Sequence, residues 1–197
     1  MKLIVGLGNP GTKYRKSRHN AGFIIAERFS DLHGISINQT LFDSMIGKGR
    51  INREAVILAK PQTYMNLSGD SVGRLTDYFK IGTDDLIVIH DDLDLPFQTI
   101  RLKKGGGHGG HKGLLSLIEN LGERDFIRLR FGIGKPERKS MVEGYVLESF
   151  SDEEADFLPE LTKRAAEALD DILSSSIQAA MRKYNPRKTR KAAETEQ

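Results

Sequence analysis

The chain has 197 residues, no cysteine, and 30 lysines and arginines against 27 acids, for a formal net charge of +3 at pH 7. That length accommodates one domain with a real core, and the lack of cysteine excludes a disulfide framework and a thiolate zinc site. No apolar run approaches the ~18 residues of a membrane span and none reads as a signal peptide, so a cytoplasmic protein is expected.

The first apolar run, Leu3-Ile4-Val5, predicts a buried strand over Lys2–Leu7. It leads into Gly6-Leu7-Gly8-Asn9-Pro10-Gly11, which fits the dinucleotide fingerprint G-x-G-x-x-G. That fingerprint requires a helix opening on its third glycine, so that backbone N–H groups face a pyrophosphate. Here Gly11 is followed by a polar, basic stretch, and helical periodicity starts only near Asn20. Asp31, at the distance of a ribose-binding acid, falls inside that helical pattern, so a nucleotide cofactor is not expected.

Further strands are predicted at Ser44–Ile51, Ala55–Lys60, Leu86–His90, Thr99–Leu102 and Ile127–Gly132, the first two joined as a hairpin at Asn52-Arg53. Apolar spacing of three and four predicts helices at Phe23–Leu32, Val72–Phe79, Leu114–Leu121 and Leu158–Leu173. The alternation implies an α/β fold: a single-domain three-layer sandwich over residues 1–185, with a central mixed, mostly parallel sheet flanked by helices. The polar, basic remainder, 186–197, reads as a flexible tail.

Ligands of open α/β sheets sit beyond the carboxyl ends of the parallel strands. Two predicted strands end there in polar residues, Asn9 and His90-Asp91-Asp92-Leu93-Asp94, and His19 lies on the first connection. An imidazole whose second nitrogen donates to a carboxylate can take a proton from water. A metal held by His90–Asp94 is disfavoured because successive strand residues face opposite sides, and His108-Gly109-Gly110-His111 lacks rigid helical spacing, so no metal is expected. No G-x-S-x-G is present. Asn66 and Ser68 are candidate helix caps, and Asn66 also a carboxamide for the cleft. The glycine loop from Lys103 to Gly113 is bordered by cations and ends where a helix begins, which favours an anion. It lacks the order of a P-loop. Basic clusters at Lys13–Arg18, at Lys103–Lys104 with Lys112, and at Arg182–Lys191 point to a polyanionic partner.

In order, Val5–Gly11, Arg18-His19-Asn20-Ala21-Gly22, Lys60–Gly69, His90–Pro96, the loop Gly105–Gly113 and Arg128–Gly134 resemble the bacterial-type peptidyl-tRNA hydrolases over about residues 1–185. The resemblance implies a monomeric, metal-independent esterase without cofactor. Its partner is peptidyl-tRNA, met at the acceptor stem and 3′ CCA end, and its reaction frees the peptide from the terminal ribose. It implies that His19 activates water and Asp91 orients it, with Asn9, Tyr14, Tyr64, Met65, Asn66 and His111 at the substrate. It further implies that Lys103 and Arg130 clamp the 5′-phosphate of the tRNA. One departure stands out: the family pattern has asparagine after His111, and this chain has Lys112, which is assigned to substrate binding at a tRNA phosphate. The alternative is a non-catalytic RNA-binding protein on the same scaffold, against which Asn9, His19, Asn66 and Asp91 all speak.

Overall fold

The computed structural model describes residues 1–185. The expected tail, 186–197, and most of the basic cluster at Arg182–Lys191 lie outside them.

One seven-stranded sheet runs through the molecule. Its strands are β1 (Lys2–Gly6), β2 (Gln39–Leu41), β3 (Ser44–Ile51), β4 (Glu54–Pro61), β5 (Leu86–Asp92), β6 (Ile100–Lys104) and β7 (Ile127–Gly132). In space the order is β2-β3-β4-β1-β5-β7-β6. The middle strands β4, β1, β5 and β7 are parallel, and antiparallel pairs close both edges. The sheet is mixed, as expected.

Helices α1 (Ala21–His33), α5 (Asp152–Ser174) and α6 (Ile177–Tyr184) cover one face, packing on Ile4, Ile87, Ile89 and Leu129. Helices α2 (Ser68–Phe79) and α3 (Lys112–Leu121) cover the other, over Leu3, Val5, Leu86 and Val88. With both faces covered, β1 and β5 must be apolar on both sides, hence their unbroken hydrophobic runs. A short helix, α4 (Val142–Leu147), lies at the end of the sheet where the parallel strands finish.

The β3–β4 hairpin turns on Asn52 and Arg53, both left-handed at φ 50 and 70, which matches the right-handed strand twist. Elements without apolar periodicity escape the pattern. The edge strand β2 has three residues, α4 has six, and α6 starts from a Ser176 cap. Helix α2 begins four residues ahead of its apolar stripe because its first turn buries Ser68, Gly69 and Ser71. A Cβ at Gly69 would meet Ser116 O of α3 at 2.1 Å, so small residues are what let these two helices touch.

The same device sets α1 on the end of β1. A Cβ at Gly22 would lie 2.4 Å from Leu7 N, and one at Gly6 would lie 2.3 Å from Gly22 O. Two glycines of the would-be nucleotide loop, Gly6 against Gly22 and Gly8 against Phe23, therefore serve helix–strand contact. Two 3₁₀ turns, Thr12–Tyr14 and Arg18–Asn20, fill the connection, and α1 opens only at Ala21.

Candidate active site

A cleft of about 690 Å³ opens beyond the ends of β1, β4 and β5, between the glycine loop and α4. Asn9, Tyr14, His19, Tyr64, Met65, Asn66, Asp91, Lys103, His111, Lys112 and Arg130, the residues that the resemblance and the Lys112 departure put at the site, line it.

His19 belongs to the turn Arg18–Asn20, which is clasped to the end of β1 by Asn20. Its side-chain oxygen accepts from Asn9 N at 2.8 Å and its amide donates to Asn9 O at 2.9 Å. Arg18 helps to anchor the same turn. It is buried, reaches Glu154 at 2.7 Å and stacks over Tyr145 at 4.3 Å. Arg18 is thus not part of an exposed polyanion-binding cluster, a correction to the pattern read at Lys13–Arg18.

Three side chains meet at one oxygen. His19 Nδ1 is 2.8 Å and His111 Nε2 2.9 Å from Asp91 Oδ1. His111 also caps α3, its Nδ1 accepting from Gly113 N at 3.2 Å and Leu114 N at 3.3 Å. A neutral ring that accepts at Nδ1 carries its proton on Nε2, so His111 donates to Asp91. Asp91 is an acceptor when ionised, so His19 donates from Nδ1 and leaves the Nε2 lone pair on the cleft. Burial would push the Asp91 carboxyl up, but His19 and His111 outweigh it and hold it well below the usual carboxylate range.

These protons bear on metal binding. His19, Asp91 and His111 place a ligand atom each within 4.8 Å of one another. His111 Nε2, however, is a donor fixed by two N–H groups on the other side of its ring. Freeing it for an ion would break the α3 cap, so the trio fits an imidazole oriented by a carboxylate and not a metal.

The acidic run at the end of β5 disperses, as strand alternation requires of Asp91 and Asp92. Asp92 takes Arg130 Nε at 2.6 Å, Asp94 takes Lys135 at 2.6 Å, and His90 turns its Nδ1–H to the Asp91 carbonyl at 2.7 Å. His90 is fully enclosed and lies edge-on to His111, and burial with that neighbour pushes it down to about 3.

On the opposite wall, Asn9 Oδ1 accepts from Met65 N at 2.8 Å, which turns its amide N–H₂ to the cleft. Met65 is buried against Gly113, where a Cβ would meet its sulfur at 2.5 Å, while Tyr64 and Asn66 are exposed. Neither Asn66 nor Ser68 caps α2: Leu67 holds that position without a side-chain bond, and Ser68 donates to Met65 O. Asn66 is free for the cleft. Lys112 reaches Glu143 of α4 at 2.8 Å, from one wall of the cleft to the other.

Sequence reasoning missed Arg128, which lines the cleft and donates to Gly106, Gly107 and Arg124 carbonyls. The alternation Arg128-Leu129-Arg130 on a buried strand is the signal that marks it. Glu143 carries no such signal, since an acid in the first turn of a short helix is commonplace.

Residues 3–193 match the family model described as peptidyl-tRNA hydrolase. The chain is similar to a peptidyl-tRNA hydrolase of Citrifermentans bemidjiense, 47% identical over 94% of this chain and 98% of that one. It is similar also to one of Geotalea daltonii, 48% identical over 94% and 96%. Among solved structures it is similar to the crystal structure of peptidyl-tRNA hydrolase from Acinetobacter baumannii, with TM-score 0.90 and 38% identity over 94% of this chain and 95% of that one. The chain belongs to the peptidyl-tRNA hydrolase family.

Proposed function

We propose that this protein hydrolyses the ester between a peptide, or N-blocked aminoacyl group, and the 3′-terminal ribose of tRNA. The observation that carries the mechanism is the His19–Asp91–His111 group, with a bare His19 Nε2 facing the cleft. His19 takes a proton from water as the oxygen attacks the ester carbonyl, and Asp91 steadies the resulting imidazolium. The oxyanion that forms is met by amide N–H groups of Asn9 and Asn66. Collapse breaks the bond to the ribose oxygen, which leaves with the proton from His19, yielding the tRNA hydroxyl and a peptide carboxylic acid that gives its remaining proton to solvent.

Tyr14, Tyr64 and Met65 form the wall on which the peptide and 3′ CCA end lie. Lys103 and Arg130 hold the 5′-phosphate of the acceptor stem, and Lys112 exchanges Glu143 for a tRNA phosphate. The protein acts as a monomeric single domain, residues 1–185. Among the described residues no helix is long and apolar enough to cross a membrane.

The test is cleavage of N-acetyl-aminoacyl-tRNA and of the same tRNA with a free amino group. The N-blocked substrate is hydrolysed while free aminoacyl-tRNA largely survives. Binding of both without turnover would instead make the chain an RNA-binding protein.

A further inference from the structure

On the β6–β7 ribbon Lys103 sits opposite Arg128, and Arg101 sits opposite Arg130. Opposed residues of an antiparallel pair point to the same side, so these four cations share one face of the sheet. Leu102 and Leu129 between them point the other way, into the core beneath α5 and α6. Like charges directly opposed are destabilising; Asp92 takes Arg130 Nε at 2.6 Å, and an added anion would relieve the remaining cations of this face.

Arg128 is the extreme member. It is 3% exposed. Its Nη1 donates to Gly107 O at 2.6 Å, and its Nη2 donates to Gly106 O at 2.5 Å and to Arg124 O at 3.2 Å. Its guanidinium carbon lies over the Phe126 ring, 4.6 Å from the centroid. A fork of fixed donors suits two successive carbonyls, as a single ammonium does not. Gly106 in turn carries Lys103: a Cβ there would lie 2.5 Å from Lys103 Nζ, and its φ of +106 is one only glycine adopts readily.

We infer that Arg128 is the positioning residue of the phosphate clamp. By holding the Gly106 and Gly107 carbonyls it folds the glycine loop into the form that sets Lys103 Nζ, beside Arg130, at the terminal phosphate. The inference rests on the clamp proposed for Lys103 and Arg130.

The experiment compares kcat/KM for N-acetyl-aminoacyl-tRNA bearing a 5′-phosphate with that for the same tRNA dephosphorylated to a 5′-hydroxyl. Inactive enzyme lowers both values equally, so their ratio reports the clamp alone. The wild type is expected to favour the phosphate about tenfold, the size of one charge-assisted hydrogen bond. In Arg128→Met the ratio falls close to one, through KM, and in Arg128→Lys it recovers in part. An Arg128→Met ratio equal to wild type, with Lys103→Ala collapsed, overturns the inference and spares the clamp. A wild-type ratio of one, or one untouched by Lys103→Ala, overturns both.

Discussion

His19 Nδ1 and Asp91 Oδ1 are 2.8 Å apart across 72 positions of sequence, and His111 Nε2 reaches the same oxygen from 2.9 Å. Two donors on one carboxylate oxygen fix both imidazole tautomers from opposite directions. Nitrogen-15 spectra near neutral pH should therefore report a protonated Nδ1 and bare Nε2 for His19, and the reverse for His111. The opposite pattern at either ring would contradict this arrangement.

His111 serves the α3 cap and the carboxylate with different nitrogens, so its two roles separate by substitution. His111→Ala loses both, and should cost about 1 kcal/mol of stability together with activity. His111→Asn supplies a good cap without reaching Asp91. It should regain most of the stability, measured by urea unfolding, while hydrolysis stays depressed. Recovery of both together would mean that the donation to Asp91 is idle.

His90 makes stability depend on acid. Its folded value of about 3 lies below the ordinary 6.5. Between those values the unfolded chain binds a proton that the folded chain refuses, so stability falls as pH falls, by up to ~1.4 kcal/mol per unit. Asp91, depressed in the folded state, adds its own loss only below the ordinary carboxylate range, near pH 4. His90→Asn keeps a donor for the Asp91 carbonyl and cannot titrate. Urea midpoints at pH 7 and pH 5 should differ less for this variant than for wild type, and an equal difference would show His90 silent.

The ion pair of Lys112 and Glu143 is exposed on both sides, so it adds little to stability, and the role proposed for Lys112 is at a tRNA phosphate. Lys112→Ala should leave the melting temperature in place and flatten the dependence of log KM on log salt by about one phosphate contact. Glu143→Gln frees the ammonium and should lower KM at ~0.1 M salt. If KM is unmoved in both, Lys112 meets no phosphate.

What was legible in the sequence follows from what periodicity encodes. The bounds of β3 and β7, the turn at Asn52-Arg53 and the placing of Asn9 and Asp91 at strand ends all come from apolar patterning and turn chemistry. The meeting of His19 with Asp91 follows from β1 and β5 being neighbours, which the two apolar runs imply without stating. The rest is carried by residues whose pattern is mute. The small first turn of α2 is one, the Asn20 clasp another, and the burial of Arg18 within a basic run is a third. The alternation Arg128-Leu129-Arg130 marks Arg128, but its bonds to the carbonyls of the glycine loop, like the His111 cap, are hydrogen bonds to backbone that leave no mark on composition.

The role of His19 as the base is tested most directly by single-turnover hydrolysis of N-acetyl-aminoacyl-tRNA by wild type and His19→Ala at equal concentrations of folded protein. The expected result is a loss of at least ~10² in the rate of cleavage with substrate binding retained. Cleavage by His19→Ala at the wild-type rate would contradict it.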